Sequence, residues 1–100
     1  MKDLIKGLPS GFKKDIETAV KILHDAGCTE IFIFGSLANG KFHENSDIDL
    51  AVRGCPADLY FKILGQLLVD LEHSVELVDL DDQLNFSNFL INHGELVRVA

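Results

Sequence analysis

One hundred residues, 47% of them hydrophobic, make a single compact domain spanning 1–100, with enough apolar material for one core and not two. Nine basic residues stand against sixteen acidic ones, a net charge of −7, and the basic ones are scattered except for Lys13, Lys14 and Lys21. That balance argues against direct binding to long DNA or RNA, which takes clustered Lys and Arg. No segment reaches the roughly 18 apolar residues of a membrane span, and Met1-Lys2-Asp3-Leu4 opens no apolar signal segment, so a cytoplasmic protein is expected. Cys28 and Cys55 lack metal-site spacing and are expected as reduced thiols.

Pro9-Ser10 followed by apolar Phe12, Ile16, Ala19, Val20 and Leu23 predicts a first helix with Ser10 as N-cap and Gly27 as its stop. Glu30 to Phe34 reads as a strand with large apolar residues on both faces, hence central. Asn39 to Ser46 is a polar loop, and Asp47 to Arg53 is the second strand. Pro56 opens a second helix reaching to about His73, with Leu59, Ile63, Leu64, Leu67, Leu68 and Leu71 as its buried stripe. Gly65 within it is read as a mark of close packing, and Tyr60 and Phe61 are read as core. Ser74 to Leu80 forms strand three, Asn85 to His93 a short last helix closed by Gly94, and Glu95 to Val99 a fourth extended segment. The fold class is α/β (α+β), a mixed three- to four-stranded sheet with helices packed against it.

Between the first two strands lies the informative stretch. Gly35-Ser36 ends the first apolar run, ten residues follow, and then comes Asp47-Ile48-Asp49-Leu50. In an extended strand Asp47 and Asp49 project to one face, about 7 Å apart at their Cα atoms, while Ile48, Leu50 and Val52 take the other. Two such carboxylates suit one or two hard cations. Gly35 lets a ligand approach the main chain, and Ser36 offers a hydroxyl and an N–H to a phosphate. Lys41 and His43 in the spacer are read as solvated loop residues, Ser46 as a local hydrogen-bonding partner for the strand start. His24, His73 and His93 are read as helix C-terminal residues favoured by the helix dipole.

Gly35-Ser36, the ten-residue spacer and Ser46-Asp47-Ile48-Asp49-Leu50 resemble the signature of the nucleotidyltransferases related to DNA polymerase β, and more narrowly the minimal nucleotidyltransferases of prokaryotes. The resemblance covers essentially the whole chain. It implies a third carboxylate on strand three, for which Glu76 is preferred to Asp79, although Asp is commoner there in the family. It further implies two Mg2+ ions held by Asp47, Asp49 and Glu76, ATP as substrate with phosphates on Gly35 and Ser36, and transfer of a nucleoside monophosphate to a hydroxyl. Family members often carry an arginine soon after the Gly-Ser pair; here Leu37 and Asn39 occupy that stretch.

The chain holds only enough sequence for the catalytic sheet, so either the acceptor is a small molecule held in an open cleft or a separate protein completes the site, and the resemblance favours the second. The resemblance implies a helical HEPN-domain toxin as that partner and transfer of AMP to one of its tyrosines, an antitoxin role. Two other readings stand beside it: a catalytically weak module that neutralises its partner by contact, and a small-molecule nucleotidyltransferase of the antibiotic-modifying kind. Base preference and oligomeric state stay open.

Overall fold

The computed structural model describes residues 7–81 and 96–100. Helix α1 spans Ser10–Asp25 and buries Phe12, Ile16, Ala19 and Leu23, the turn-spaced stripe that its sequence presents. Its N-cap is Pro9 rather than Ser10, which is the first helical residue and makes no capping bond. Proline's fixed φ already sets the entry angle, and Pro9 lends its carbonyl to the N–H of Lys13 at 3.0 Å. At the other end Gly27, at φ +103°, donates to the His24 carbonyl and Cys28 to that of Leu23, both at 3.0 Å. These two bonds are a Schellman stop, which needs the left-handed residue that glycine supplies.

Strand β1, Glu30–Phe34, follows at once, then a four-residue helix α2, Ser36–Asn39, and strand β2, Ile48–Arg53. A 3-10 turn, Ala57–Leu59, leads into helix α3, Tyr60–Asp70, and strands β3, Val75–Asp79, and β4, Val97–Arg98, complete the sheet. The strand order is β3-β2-β1-β4, so the two strands flanking the Gly-Ser turn are the central pair. β1 runs antiparallel to β2 and β4, and β2 runs parallel to β3 across the α3 crossover. The expected last helix, 85–93, with Phe86, Phe89 and Gly94, lies outside the described residues.

Period-2 alternation sorts the sheet into two faces. Ile31, Ile33, Ile48, Leu50, Val52 and Leu77 pack under α1 and α3 in the main core. Phe34, Ala51, Val78 and Leu80 form a smaller cluster on the other face. The second helix departs from expectation in three ways. It ends at Asp70 and not near His73, Leu68 is 54% exposed, and Phe61 is 83% exposed. Among the described residues a Cβ added at Gly65 would meet nothing within 4 Å, so this glycine marks no close packing contact with them.

One buried acid, Asp15 on α1, ties the helical layer to the sheet. It accepts the N–H groups of Glu72 (3.1 Å) and His73 (2.9 Å) and the His73 Nδ1–H (2.7 Å). Burial by itself would raise the Asp15 carboxyl; these hydrogen bonds outweigh it and hold the group below its ordinary value. His73 stacks on Phe12 with ring centroids 4.0 Å apart. Its role is thus a paired, half-enclosed imidazole, and not a helix-terminal one.

The cysteines also depart from expectation: Cys28 and Cys55 form a disulfide across 27 residues. Cys28 leads into β1 and Cys55 follows β2, and antiparallel pairing of these strands brings the two together. Sequence spacing carries no sign of a contact that only the register creates. Closing a loop of this length restricts the unfolded chain by about 3–4 kcal/mol. Reduction, or Cys28→Ser with Cys55→Ser, is expected to lower the melting temperature of the oxidised protein by on the order of 10 °C or more, read by thermal melts with and without reductant.

Candidate active site

The central pair β1–β2 delivers the Gly-Ser turn and the acids to one end of the sheet. Phe34, the last residue of β1, pairs with Asp49, so Gly35 comes directly beside the Asp49 carboxylate. Gly35 has φ +70°, and a Cβ there would collide with Asp49 Oδ2. Only glycine satisfies both the backbone conformation and the contact.

β3 supplies the third acid. In the parallel ladder Asp49 is the partner of Glu76, and the two carboxyl groups come close enough for each to be felt by the other. Asp79, three residues on, turns to the opposite face, is buried, and accepts the Asp81 N–H at 3.0 Å. Between the two candidates of strand three, Glu76 stands with the aspartates and Asp79 does not.

Ser36, Lys41, His43, Asn45, Ser46, Asp47, Asp49 and Glu76 line one cleft of about 460 Å³. The polar spacer is therefore one wall of the cleft. Gly40, at φ +79°, turns the chain after α2, and the Lys41 N–H donates to the Ser36 carbonyl (3.1 Å) and to Asn39 Oδ1 (2.9 Å). Ser46 is buried; its Oγ accepts the His43 N–H at 2.8 Å and its own N–H donates to the His43 carbonyl at 2.9 Å, the local role expected of it. The Asn45 N–H donates to His43 Nδ1 at 3.3 Å, which leaves the proton of a neutral imidazole on Nε2. Lys41 and His43 were expected as plain loop residues, and no periodicity in the spacer reveals that it folds back over the strands.

The electrostatics of the cleft are one-sided. Partial burial, then repulsion from Glu76 and its hydrogen bond, then repulsion from Asp47, push the Asp49 carboxyl up to about 6. Among the described residues no Lys or Arg forms an ion pair with Asp47, Asp49 or Glu76. Crowded carboxylates without a cationic partner are a donor set for a hard divalent ion. They are not a finished cage: among the described residues no three His, Cys, Asp or Glu side chains converge closely enough to hold a metal. Asp47 precedes the first ladder pair and is exposed, while Asp49 and Glu76 face each other across the ladder.

Comparison with known proteins adds the family. Residues 17–99 match the model of the polymerase beta nucleotidyltransferase family. The chain belongs to that family. No curated protein matches it in sequence. Among solved structures it is similar to a toxin–antitoxin crystal structure with AMP-PNP, at TM-score 0.63 and 28% identity over 83% of this chain and 69% of that one. It also shares the fold of the toxin–antitoxin MntA–HepT structure (TM-score 0.60, 23% identity, 84% and 69% covered). A third is the MNT antitoxin in complex with a tri-AMPylated Shewanella oneidensis HEPN toxin (TM-score 0.60, 22% identity, 84% and 69% covered).

Two outcomes test this geometry. Asp49 is harder to ionise in the folded protein than in the unfolded chain, so its contribution to stability is complete below about pH 4 and is lost as pH rises through about 6. Asp49→Asn is therefore expected to raise the metal-free melting temperature at pH 7 by on the order of a few degrees, with no gain at pH 4. Gly35→Ala is expected to lose about 1–3 kcal/mol in denaturant melts, because the side chain meets Asp49 and the φ is unfavourable.

Proposed function

We propose that this protein is a magnesium-dependent nucleotidyltransferase that moves AMP from ATP to a hydroxyl of a partner protein, a tyrosine of a helical HEPN-domain toxin, and so acts as an antitoxin. The observation that carries this reading is the meeting of Asp49 and Glu76 beside the Gly35-Ser36 turn, in a chain of the nucleotidyltransferase family. The resemblance to toxin–antitoxin complexes, one of them holding AMP-PNP, supports the choice of partner and nucleotide.

In this reading Asp47, Asp49 and Glu76 would hold the magnesium ions. Mg2+ would there supply Lewis-acid polarisation of the triphosphate and a lower pKa for the attacking hydroxyl. Gly35, without a side chain, lets the triphosphate come close to the main chain. Ser36 donates its hydroxyl to a phosphate oxygen, and Lys41, whose backbone is tied to the Ser36 carbonyl, sets an ammonium on the same wall. The acceptor oxygen bonds to the α-phosphorus as the bond to the β-phosphate oxygen breaks and pyrophosphate leaves. The hydroxyl proton passes to the cleft carboxylates, of which Glu76 is open to solvent and returns it to water. The net charge of −7 points to a protein acceptor or small substrate over a long polyanion.

A second reading has its own support: with no three acids converged, the domain binds nucleotide weakly and silences its partner by contact. One experiment separates the two. The protein, α-labelled ATP and magnesium are incubated with a HEPN-domain protein of the same source cells, with Asp47→Ala/Asp49→Ala as control. Label on the toxin is expected to fall by about a thousandfold or more in the control, since the variant loses the whole cation site. Toxin silenced equally by both proteins, with no label on it, would decide for the contact reading.

A further inference from the structure

Outside the cleft, Asp15 is the buried polar group with the most hydrogen-bond donors among the described residues. Its side chain is 3% exposed, it belongs to a helix that contributes nothing to the cleft lining, and it receives three donors. All three come from Glu72 and His73, in the short link between α3 and β3. That link ends two residues before Glu76.

β3 needs an anchor there. It is an edge strand, held by backbone bonds to β2 alone among the described residues. Its start is also where the site needs accuracy, because Glu76 faces Asp49 one pair beyond the first pair of the ladder, Ile48 with Val75. The Ile48 N–H donates to the Ser74 carbonyl at 2.8 Å, so the link holds the beginning of β2 as well. Two crowded carboxylates repel each other when both are ionised, and that repulsion pushes the edge strand away from β2 at this point. A buried carboxylate gripping the two residues upstream opposes the push. Phe12, one turn before Asp15, closes the arrangement by stacking on His73.

We propose that Asp15 is a positioning residue for Glu76: through the Glu72 and His73 amides and the His73 ring it sets the start of β3, and with it the separation of the third carboxylate from Asp49. The inference rests on the reading of Glu76 as the third acid of the site. It assigns a role in the reaction to an acid that touches neither substrate nor metal, and it makes His73 part of the same device.

A double-mutant cycle tests it, with AMP transfer to the partner measured at saturating ATP and magnesium and well below every variant's melting temperature. Asp15→Ala is expected to lower kcat by about tenfold or more, the scale of losing a hydrogen-bonded orienting partner. In a Glu76→Gln background the same change is expected to cost less than about twofold, because the group it positions no longer acts. Amide hydrogen exchange in the metal-free protein should rise at Val75, Glu76 and Leu77 and stay unchanged in the interior of α1. Where Asp15→Ala does not fold, His73→Gln, which keeps both backbone bonds, takes its place under the same criteria. An equal loss in both backgrounds, or a lower melting temperature with kcat and exchange at β3 unchanged, overturns the positioning role. Glu76→Gln transferring at the wild-type rate overturns the reading of Glu76, and the inference with it.

Discussion

Everything at the site depends on the alternation of side chains along β2 while its two edges are paired in opposite senses. Ile48, Leu50 and Val52 are drawn into the core under the helices, and burying three such side chains stabilises the strand by several kcal/mol, about 1.5–3 kcal/mol each. That gain fixes the rotation of the strand and obliges Asp49 to point the other way. The antiparallel neighbour then brings Gly35 against Asp49, and the parallel neighbour brings Glu76. A slip of one residue would bury Asp49 and expose Leu50, which apolar burial forbids. The geometry of the cleft is thus held by leucine, isoleucine and valine side chains on the opposite face of the sheet.

The acids themselves oppose the fold. Asp49 is pushed up to about 6 by burial and by its carboxylate neighbours, so at neutral pH the sheet end carries repulsion that the core must outweigh. Sites that concentrate like charge for a cation commonly stand at odds with stability in this way. Here the helical layer contributes twice, through apolar packing and through the Asp15 bonds to the link before β3.

Much of this was legible in the sequence, for identifiable reasons. β1 is found at its expected residues because Glu30 to Phe34 is a short apolar run bounded by turns, and β2 starts one residue late because Asp47 precedes the first paired position. Asp49 was readable from local spacing and period-2 alternation, whereas alternation placed Glu76 and Asp79 only on opposite faces and the preference for Glu76 came from the family resemblance. What failed involves contacts set by tertiary register or by side-chain chemistry that has no period. Cys28 and Cys55 meet only when β1 and β2 pair, and Asp15 looks like any solvated acid on a helix until the turn at Glu72 and His73 arrives. The second helix was extended too far because Leu71 continues the apolar stripe; Leu71 is buried, but with extended backbone just past the helix end.

The parallel pairing of β2 with β3 also has a consequence in time. Gly35, Ser36, Asp47 and Asp49 lie close in sequence and face each other across one antiparallel pair, which forms from a loop of modest length. Glu76 joins them only after the α3 crossover has been made and docked. On the ribosome, therefore, a chain still threading its crossover through the exit tunnel has its Gly-Ser turn and both aspartates but not yet Glu76. The cleft is completed late in synthesis, after the helical layer against which β3 must settle has formed.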